Sequence, residues 1–365
     1  MNAPVNAPAE LLIDSAAGPA RVTTPAPREV WWELASLDVD THVTQTPTWL
    51  DCLCATGPYQ EASRLYEFED GSRMVLPLVR RRRRPQWLGA EESWPAEWGI
   101  GGPLAPGGVG PAKAQALFDD LAGRHALRVG VRFRPGDTEV WEKAAPAGFR
   151  PESHMTQVVC LDGGFGTVWE SRFHTRVRRD VRRAEKSDVE VEVDRAGRLV
   201  PVFHELYEKS IERWAVQQHE PLTLARWRRR RAFPSQRLAA VATGFGEACS
   251  IWVAWYAGRP AAAIVVLRHG RHAKLWRAAM DRELAHPVRA TSLLNRLAIE
   301  EACLADCGSY DMGESSPGSS LAHFKEGFGA DTCASPRYVR ERLPVSAAER
   351  ALRTVVKRAI RFKDA

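Results

Sequence analysis

The pattern that decides the fold of this chain lies at residues 310–329, which read YDMGESSPGSSLAHFKEGFG. The apolar run at 310–312 predicts a short strand, and the Gly, Ser and Pro residues at 313–318 predict a loop. Residues 320–326 predict a short helix that ends at Gly327. A strand followed by a loop and a helix is a repeating unit of α/β domains, which bind ligands where their strands end.

The residues around this stretch predict a mixed sheet. Strands at 248–256, 261–267 and 274–280 are joined by turns at 257–260 and 269–271, and a helix at 292–305 follows them. A helix at 165–186, a strand at 189–193 and a helix at 199–214 precede this meander. A further strand is expected near 337–340. The second half of the chain therefore has the pattern of a layered α/β domain.

The first half repeats the mixture on a smaller scale. Strands at 64–68 and 73–79 flank the turn Glu69-Asp70-Gly71 and predict a hairpin. A helix at 113–121, a strand at 126–133, a helix at 141–147 and a strand at 155–161 follow. A chain of 365 residues is expected to form two domains.

The two ends of the chain differ from the rest in composition. Residues 1–27 are rich in Ala, Pro and Val and lack the basic start and apolar core of a signal peptide, so we expect a disordered tail. Residues 347–361 predict a basic amphipathic helix. Such a helix is a candidate for peripheral membrane contact.

The composition excludes several classes of protein. Apolar residues make up 44% and charged residues 26% of the chain, which rules out collagen, a wholly disordered chain and a simple coiled coil. Every apolar stretch falls short of the ~20 residues that a membrane helix needs. The seven cysteines are an odd number without a Cys-x-x-Cys motif, which argues against a disulfide framework or a zinc site. We expect reduced thiols, no bound metal and a cytoplasmic location.

The basic residues are clustered. The net charge is +6, from 51 Lys and Arg against 45 Asp and Glu. Five arginines lie at 80–84, seven basic residues lie within 172–186 and five arginines lie within 226–231. Such runs suit an anionic partner such as a phosphate, a nucleotide or RNA. Each run is also compatible with a solvated face beside acidic neighbours, and both alternatives stay open here.

The motif Phe324-Lys325-Glu326-Gly327-Phe328-Gly329, together with residues 173–186, Trp214 and 310–313, resembles the tandem-GNAT acyltransferases. This group contains the Fem peptidyltransferases and the CelD-type, or BioF2-like, polysaccharide-linked acetyltransferases. The resemblance covers residues 28 to about 342. It implies an α/β fold of two tandem GNAT-like domains with mixed central sheets flanked by helices. The first, at 28–164, would be degenerate, the second, at 165–342, would be the acyltransferase domain, and a basic amphipathic helix would occupy 343–365.

Acyl transfer to an amine needs a neutral amine, stabilisation of the developing oxyanion and alignment of the two partners. By the resemblance, Lys325 would hold a donor phosphate and the developing charge, and Phe324 would shape the pocket. Asp311 and Glu314 could orient or deprotonate the amine, and His323 is a further candidate base. The structural alternatives are a solvated Lys325 paired with Glu326 or Asp331, and an Asp311 that caps the next turn.

Substrate contacts are expected from two other segments. In the helix at 172–186, Phe173, Val177, Val181 and Ala184 form one apolar stripe, and Arg178 and Arg182 lie on a basic stripe that suits phosphates. Two further pairs, Arg213-Trp214 and Trp276-Arg277, are expected to line the substrate pocket. The alternatives are ion pairs for the arginines and core positions for the tryptophans.

The donor remains open at this stage. GNAT enzymes that use CoA usually carry the motif Arg/Gln-x-x-Gly-x-Gly/Ala before the helix equivalent to 292–305, whereas residues 286–292 here contain no glycine. We predict a cytoplasmic N-acyltransferase that moves an acyl group from acyl-CoA, with no bound cofactor, to the amine of an amino sugar, a cell-envelope precursor or a small metabolite. One alternative is a Fem-like aminoacyltransferase that uses aminoacyl-tRNA. Another is a non-catalytic nucleic-acid-binding or scaffold protein on a GNAT fold.

Overall fold

A computed structural model describes residues 8–95, 97–136 and 138–363. The first part of the chain forms β1 (Ala9–Ile13), β2 (Ala20–Thr24), α1 (Arg28–Leu37), α2 (Pro47–Thr56), β3 (Tyr59–Glu61), β4 (Arg64–Phe68), β5 (Arg73–Leu76), β6 (Val79–Arg81), β7 (Ala90–Ser93), α3 (Pro111–Ala122), β8 (Arg128–Arg132), α4 (Thr138–Ala144) and β9 (Arg150–Glu152).

The second part forms β10 (Met155–Cys160), α5 (Gly164–Thr167), a π-helical turn (Val168–Arg172), α6 (Thr175–Glu185), β11 (Val189–Asp194), α7 (Val200–Gln217), α8 (Leu222–Ala232), α9 (Ser235–Phe245), β12 (Cys249–Tyr256), β13 (Arg259–His269), β14 (His272–Met280), α10 (Arg282–Ala285), α11 (Ala290–Leu304), β15 (Ser309–Glu314), α12 (Ser320–Glu326), β16 (Asp331–Ala334), β17 (Arg337–Glu341) and α13 (Val345–Ala359). Each described helix is too short or too polar to span a bilayer.

One compact unit consists of the residues up to Met155 together with Cys333–Val345. It holds an antiparallel sheet in the order β1-β2-β4-β5 and a mixed sheet in the order β3-β6-β7-β8-β17-β9. Phe118 of α3 lies at the centre of its core, with its ring 5.0 Å from that of Phe149 and 5.5 Å from that of Tyr338. Such aromatic contacts add specific geometry to the burial of apolar surface.

The other unit consists of Thr156–Thr332 and the residues from Ser346 onward. Its mixed sheet has the order β11-β12-β13-β14-β15-β10-β16. The predicted apolar stripe on α6 is confirmed, because Val177, Val181 and Ala184 are buried in one core with residues of α11. Successive residues of a strand point to opposite faces of the sheet, so a second layer can cover the face away from α6 and α11. Helix α7 contacts β12–β14 and helix α9 contacts β12, and these two helices form that layer. The predicted fold class, α/β with mixed sheets flanked by helices, is confirmed.

The expected disordered tail at 1–27 is wrong where the structure describes it, while residues 1–7 lie outside the described residues. Strands β1 and β2 pair with each other, and β2 also pairs with β4. Ala20 and Val22 are buried in the same core as Tyr66. The strand signal in the sequence is weak here, because only two short apolar side chains of β2 carry it.

The domain boundaries at 164/165 and at 342 also need correction. Strand β10, expected at the end of the first domain, lies in the sheet of the second unit beside β15. Strand β17, expected to close the second domain, pairs with β8 and β9 in the sheet of the first unit. Strand periodicity predicts where a strand lies in the chain, but it does not predict which sheet the strand joins.

The expected single helix at 165–186 is interrupted. It begins as α5, continues as the π-helical turn and stops at Phe173, whose backbone is extended, before α6 begins. The interruption lets Phe173 turn into the core, where its ring lies 5.1 Å from that of Phe328.

Candidate functional site

Two parallel strands of the second unit separate and leave an opening. In the described chain β14 and β15 pair over only three positions, and the last pair is Lys274 with Asp311. β14 nevertheless runs on to Met280, and β15 runs on to Glu314. A register shift against β13 puts a bulge in β14 near Trp276, and a bulge bends a strand. The edges of the two strands beyond Lys274 and Asp311 form the walls of this opening, which we call the β14/β15 opening.

Asp311 lies buried at the vertex of the opening. One carboxylate oxygen accepts hydrogen bonds from the Thr156 hydroxyl and the Gly313 N–H, both at 2.7 Å, and the other forms an ion pair with the Lys274 ammonium. Burial by itself would raise the pKa of the Asp311 carboxyl, but the Lys274 ammonium and these hydrogen bonds lower it overall. Asp311 is therefore an ionised group that is fully engaged by its neighbours.

Lys325 reaches the end of β15 from the short helix α12. The Ser319 side chain caps this helix by accepting a hydrogen bond from the Ala322 N–H at 3.1 Å. Lys325 is 3% exposed, and its ammonium donates to the backbone carbonyls of Gly313 and Glu314, both at 2.8 Å. Burial lowers the pKa of Lys325 to about 8, with the positive charge of Lys274 acting in the same direction and Asp311 opposing it. The alternative of a solvated lysine paired with Glu326 or Asp331 is wrong.

The two pairs Arg213-Trp214 and Trp276-Arg277 come together in one cluster. The Arg277 guanidinium lies 4.9 Å from the ring centre of Phe233, whose ring is 5.4 Å from that of Trp276. Tyr207 connects Phe233 to Trp214, with ring centres 5.3 and 6.0 Å away. The cluster joins α7, the end of α8 and β14. We call it the arginine–aromatic cluster.

Two arginines of this cluster are held by aromatic rings and carbonyls and form no ion pair among the described residues. The Arg229 guanidinium stacks 4.5 Å above Trp214, and Arg213 lies 5.6 Å from the same ring and donates to the Met280 carbonyl at 3.4 Å. Among the described residues neither arginine forms an ion pair with a carboxylate. Burial lowers the pKa of Arg213, and the nearby Arg282 adds to that effect. Positive charge that is held on aromatic faces in this way can bind an anion.

The start of α11, which follows β14 and the short helix α10, has no glycine in its first turn. Arg289 takes a left-handed conformation with φ 55° just before the helix, and Ala290 and Ser292 in its first turn are buried. The Arg289 side chain contacts α6 and the residues before α11, with Nε 3.4 Å from an Asp180 oxygen and Nη1 3.0 Å from His286 Nε2. Without a glycine in this turn, close approach of a diphosphate to the backbone N–H groups is harder.

Residues 171–326 match the family model described as the acetyltransferase (GNAT) domain. They form a GNAT acyltransferase domain. This stretch contains the β14/β15 opening, Lys325 and the arginine–aromatic cluster. The resemblance to GNAT acyltransferases and the prediction of an acyltransferase are both confirmed.

Solved structures support the tandem-GNAT fold. FemX is similar with a TM-score of 0.64 and 12% identity, over 86% of this chain and 96% of FemX. The C-terminal domain of a putative lysylphosphatidylglycerol synthetase from Agrobacterium fabrum has a TM-score of 0.51 and 13% identity, over 89% and 96% of the two chains. A tandem GNAT protein from the clavulanic acid biosynthesis pathway, solved without AcCoA, has a TM-score of 0.50 and 10% identity, over 92% and 98%. None of the curated proteins that were compared matches the sequence.

The other site residues predicted near Lys325 differ in their surroundings. Glu314 ends β15 with an exposed side chain, while its carbonyl binds Lys325. His323 is exposed and its Nδ1 lies 2.8 Å from the Ser319 carbonyl. The half-buried ring of Phe324 packs 5.2 Å from Phe328, against the core of the GNAT domain. A pocket-lining role for Phe324 and a base role for Glu314 or His323 therefore stay predictions.

The glycines of the FKEGFG motif have a packing role. A Cβ at Gly327 would lie 2.7 Å from a Val177 methyl group of α6, and a Cβ at Gly329 would lie 2.7 Å from the Arg172 carbonyl oxygen. Gly329 also has a φ of +74°, which favours glycine. These residues let the end of α12 approach α6 closely and so hold Lys325 in place.

The structure separates the basic runs into two kinds. On α8 three arginines pair with glutamates at 2.7 to 2.8 Å: Arg226 with Glu212, Arg228 with Glu220 and Arg230 with Glu208. For these three of the five arginines the expectation of charge paired with acidic neighbours is correct. On α6 and at the residue that follows it, five basic side chains are exposed and form no ion pair within the described residues: Arg176, Arg179, Arg182, Arg183 and Lys186. We call these five residues the α6 basic ridge.

Arg178 does not belong to this ridge. Its guanidinium donates to the backbone carbonyls of Trp169 at 3.2 Å and Glu170 at 2.7 Å, at the interruption before α6. The expected phosphate contact of Arg178 is thus replaced by a structural one, because the π-helical turn leaves carbonyls that need donors. Arg182 is exposed and stays a candidate ligand.

The first unit also has a parallel pair, β7 and β8, which are joined by α3 as β14 and β15 are joined by α11. Here the end of β7 is covered by its own chain. The Gly102 N–H donates to the Ser93 hydroxyl at 2.8 Å, and a Cβ at Gly101 would lie 2.0 Å from that hydroxyl oxygen. A Cβ at Gly102 would lie 3.2 Å from the Arg132 carbonyl. In the first unit this loop therefore occupies the position that corresponds to the β14/β15 opening of the GNAT domain.

Sequence reasoning missed five residues of the site, namely Thr156, Lys274, Tyr207, Arg229 and Phe233. Thr156 and Lys274 lie in predicted strands. A lysine at the start of an apolar strand is buried only if it is paired, so Lys274 could have predicted a nearby carboxylate. Arg229 gives no signal in the sequence beyond the charged run that contains it. Within the described residues no group of three or more His, Cys, Asp or Glu side chains could hold a metal ion.

Proposed function

We propose that the GNAT domain transfers an acyl group to a primary amine at the β14/β15 opening. The observation that carries this proposal is the buried Lys325 ammonium, which is held at the end of β15 beside the ionised Asp311. An ammonium group has three hydrogens, and Gly313 and Glu314 bind two of them. The third can stabilise a substrate oxygen that becomes negative in the transition state.

The surrounding groups take supporting roles in this mechanism. Asp311 positions Lys325 and the end of β15; it is a poor base, because its pKa is lowered and its oxygens already accept three donors. Glu314 has an exposed carboxylate at the end of the same strand, and it can accept the proton of the attacking amine directly or through water. The acceptor amine adds to the acyl carbonyl and forms the C–N bond, and the C–S or C–O bond to the donor then breaks. The departing thiolate or alkoxide takes up the proton that Glu314 or water accepted from the amine.

An acyl-CoA is the first candidate donor. The facing edges of β14 and β15 beyond Lys274 and Asp311 do not pair with each other in the described chain, so they offer backbone donors and acceptors. The pantetheine arm of CoA is an extended chain with two amide groups, which can pair with such edges as a strand does. The similar tandem GNAT protein from the clavulanic acid pathway is described in relation to AcCoA, which agrees with this choice.

An aminoacyl-tRNA is the second candidate donor, and two observations favour it. The first turn of α11 has no glycine for close approach by a CoA diphosphate, and the α6 basic ridge presents five exposed charges that form no ion pair within the described residues. A row of arginines and lysines suits the repeated phosphates of an RNA backbone better than one compact diphosphate. The Fem resemblance implies the same donor.

The arginine–aromatic cluster indicates the chemistry of the acceptor. Arg213 and Arg229 offer charge that is held against Trp214, which suits a phosphate or carboxylate on the acceptor. We therefore favour an anionic amine, such as a phosphorylated amino sugar or a cell-envelope precursor, over a neutral metabolite. Both candidate donors are cytoplasmic molecules, which supports the cytoplasm as the site of the reaction.

Thermal shift of the full chain decides between the donors. Acetyl-CoA, CoA, charged tRNA and uncharged tRNA are added separately, because a ligand that binds the folded state raises the melting temperature. A thioester donor predicts a shift with acetyl-CoA and none with tRNA, and an RNA donor predicts the reverse. Absence of a shift with all four would count against acyl transfer at this opening and favour a scaffold role.

A further inference from the structure

The C-terminal helix α13 presents an apolar stripe to solvent. Leu352, Val355 and Val356 are 66%, 63% and 43% exposed, and with Ala348 they lie on one side of the helix at successive spacings of four, three and one residues. In a globular protein such a stripe normally packs on a core. Here every side chain from Ala347 to Arg358 is exposed.

The remainder of the helix is strongly basic. Arg350, Arg353, Lys357 and Arg358 flank the apolar stripe, and Arg361 and Lys363 follow it, whereas Glu349 is the one acidic residue of the helix. The combination of an apolar stripe and a cationic flank is typical of helices that lie in the surface of a membrane.

The end of this helix is attached to the GNAT domain. The Lys363 N–H donates to the carbonyl of Gln218, which follows α7, at 2.9 Å. The side chain of Val216, two residues earlier, is 77% exposed. A partner surface that binds α13 would therefore lie near the end of α7, the helix that carries Arg213 and Trp214.

We propose that α13 lies in the surface of a bilayer that contains anionic lipids, with Leu352, Val355 and Val356 among the acyl chains and the basic side chains at the headgroups. Charge complementarity decides for this partner. A second copy of α13 would bring two sets of arginines together, which like-charge repulsion disfavours. RNA would match the charge, but it would leave the apolar stripe in water. The proposal goes beyond acyl transfer and does not depend on the identity of the donor.

Co-sedimentation of the full chain with vesicles tests this assignment. Vesicles of phosphatidylcholine with phosphatidylglycerol are compared with vesicles of phosphatidylcholine alone. We expect binding to the first that falls about ten-fold or more between roughly 50 and 300 mM salt, and little binding to the second, because a short apolar stripe needs the electrostatic attraction.

Two variants separate this contact from simple charge attraction. Leu352→Ser with Val355→Ser keeps every charge and is expected to reduce binding about ten-fold or more, while the melting temperature stays the same because both side chains are exposed. Arg179→Gln with Arg183→Gln removes two charges from the α6 basic ridge and is expected to retain most of the binding.

Three results would overturn the proposal: unchanged binding of the serine variant, equal binding to both kinds of vesicle, or no vesicle binding by the wild-type chain. A dimer of the wild-type chain that the serine variant abolishes would assign the stripe to a second copy instead.

Discussion

Lys274 and Asp311 are the last pair of the parallel ladder between β14 and β15, and their side chains form a buried ion pair where the two strands separate. Lys325 binds the carbonyls of the second and third residues after Asp311. Two lysines thus share the surroundings of one carboxylate at the vertex of the opening. Because the interior screens charge weakly, the Lys274 ammonium lowers the pKa values of both Asp311 and Lys325.

Removal of Lys325 tests the proposed catalytic role. Lys325→Ala is expected to lower the rate of acyl transfer by roughly 10²-fold or more, the effect of losing one oxyanion contact. It also leaves the Gly313 and Glu314 carbonyls without their donor, at a cost of about 1–3 kcal/mol in stability. Rates are compared at a temperature at which circular dichroism shows both proteins folded. The exposed Lys143→Ala is the control, and a wild-type rate in folded Lys325→Ala would remove Lys325 from the mechanism.

The pKa of Lys325 predicts a pH dependence of stability. Its value in the folded protein is about 8, below the ordinary value of 10.5, so between these limits the unfolded chain binds more protons than the folded one. Lys325 therefore increases the free energy of unfolding as the pH rises from about 8 to about 10.5, by up to about 3 kcal/mol. The comparison is between the wild type and Lys325→Met in denaturant titrations at several pH values. Parallel curves for the two proteins would show that the lysine is not perturbed.

The same pKa predicts the alkaline limb of activity. Transfer is expected to decline above about pH 8, as the Lys325 ammonium loses the proton that stabilises the oxyanion. The measurement is kcat/KM from roughly pH 6 to 10 with a donor that does not titrate in this range. Lys325→Arg keeps its charge over the whole range, so a decline at the same pH in this variant would assign the limb to another group.

The ion pair at the vertex is expected to show strong coupling. Lys274→Met leaves Asp311 ionised without its partner, and Asp311→Asn leaves Lys274 likewise, so each is expected to cost about 3–5 kcal/mol of stability. The double variant is expected to cost much less than the sum. Chemical denaturation of the four proteins gives the coupling energy. Additive effects would mean that the pair contributes nothing as a unit.

The residues before α1 are expected to contribute to stability. Val22 is 1% exposed and Leu12 is 77% exposed, so Val22→Ala should cost about 1–3 kcal/mol and Leu12→Ala less than about 0.5 kcal/mol. Both are aliphatic residues in the same antiparallel pair, which makes the second a matched control. Equal melting temperatures of Val22→Ala and the wild type would show that this segment does not contribute to the stability of the fold.

The α6 basic ridge predicts how donor binding responds to salt. If tRNA is the donor, Arg179→Gln with Arg183→Gln should reduce the slope of log K against log salt by about 0.7–0.9 for each phosphate that is no longer neutralised. Arg230→Gln on α8 is the control, because this arginine is already paired with Glu208. Saturable tRNA binding with an unchanged slope in the double variant would place the RNA on another surface.

Much of the fold could be predicted from the sequence by itself. The meander of β12–β14, the helix α11, the order of β15 and α12 and the apolar stripe of α6 follow from the period of apolar residues and from the positions of glycines, which are local properties of the chain. The prominence of Lys325 came from the motif around it. The structure adds that two glycines of this motif let the end of α12 pack on α6 and on the π-helical turn before it.

The tertiary structure alone decided the surroundings of the site. Several features depend on residues that are far apart in the chain. The arginines of α8 form ion pairs whereas the α6 basic ridge does not, Asp311 finds its partners on other strands, and β10 and β17 each join the sheet of the other unit rather than the expected one. Periodicity reports which side of an element is apolar, whereas pairing between elements depends on which faces meet after folding. For that reason the sequence determined the elements and the family resemblance of this protein, and only the folded chain determined which charges are buried, paired or left for a ligand.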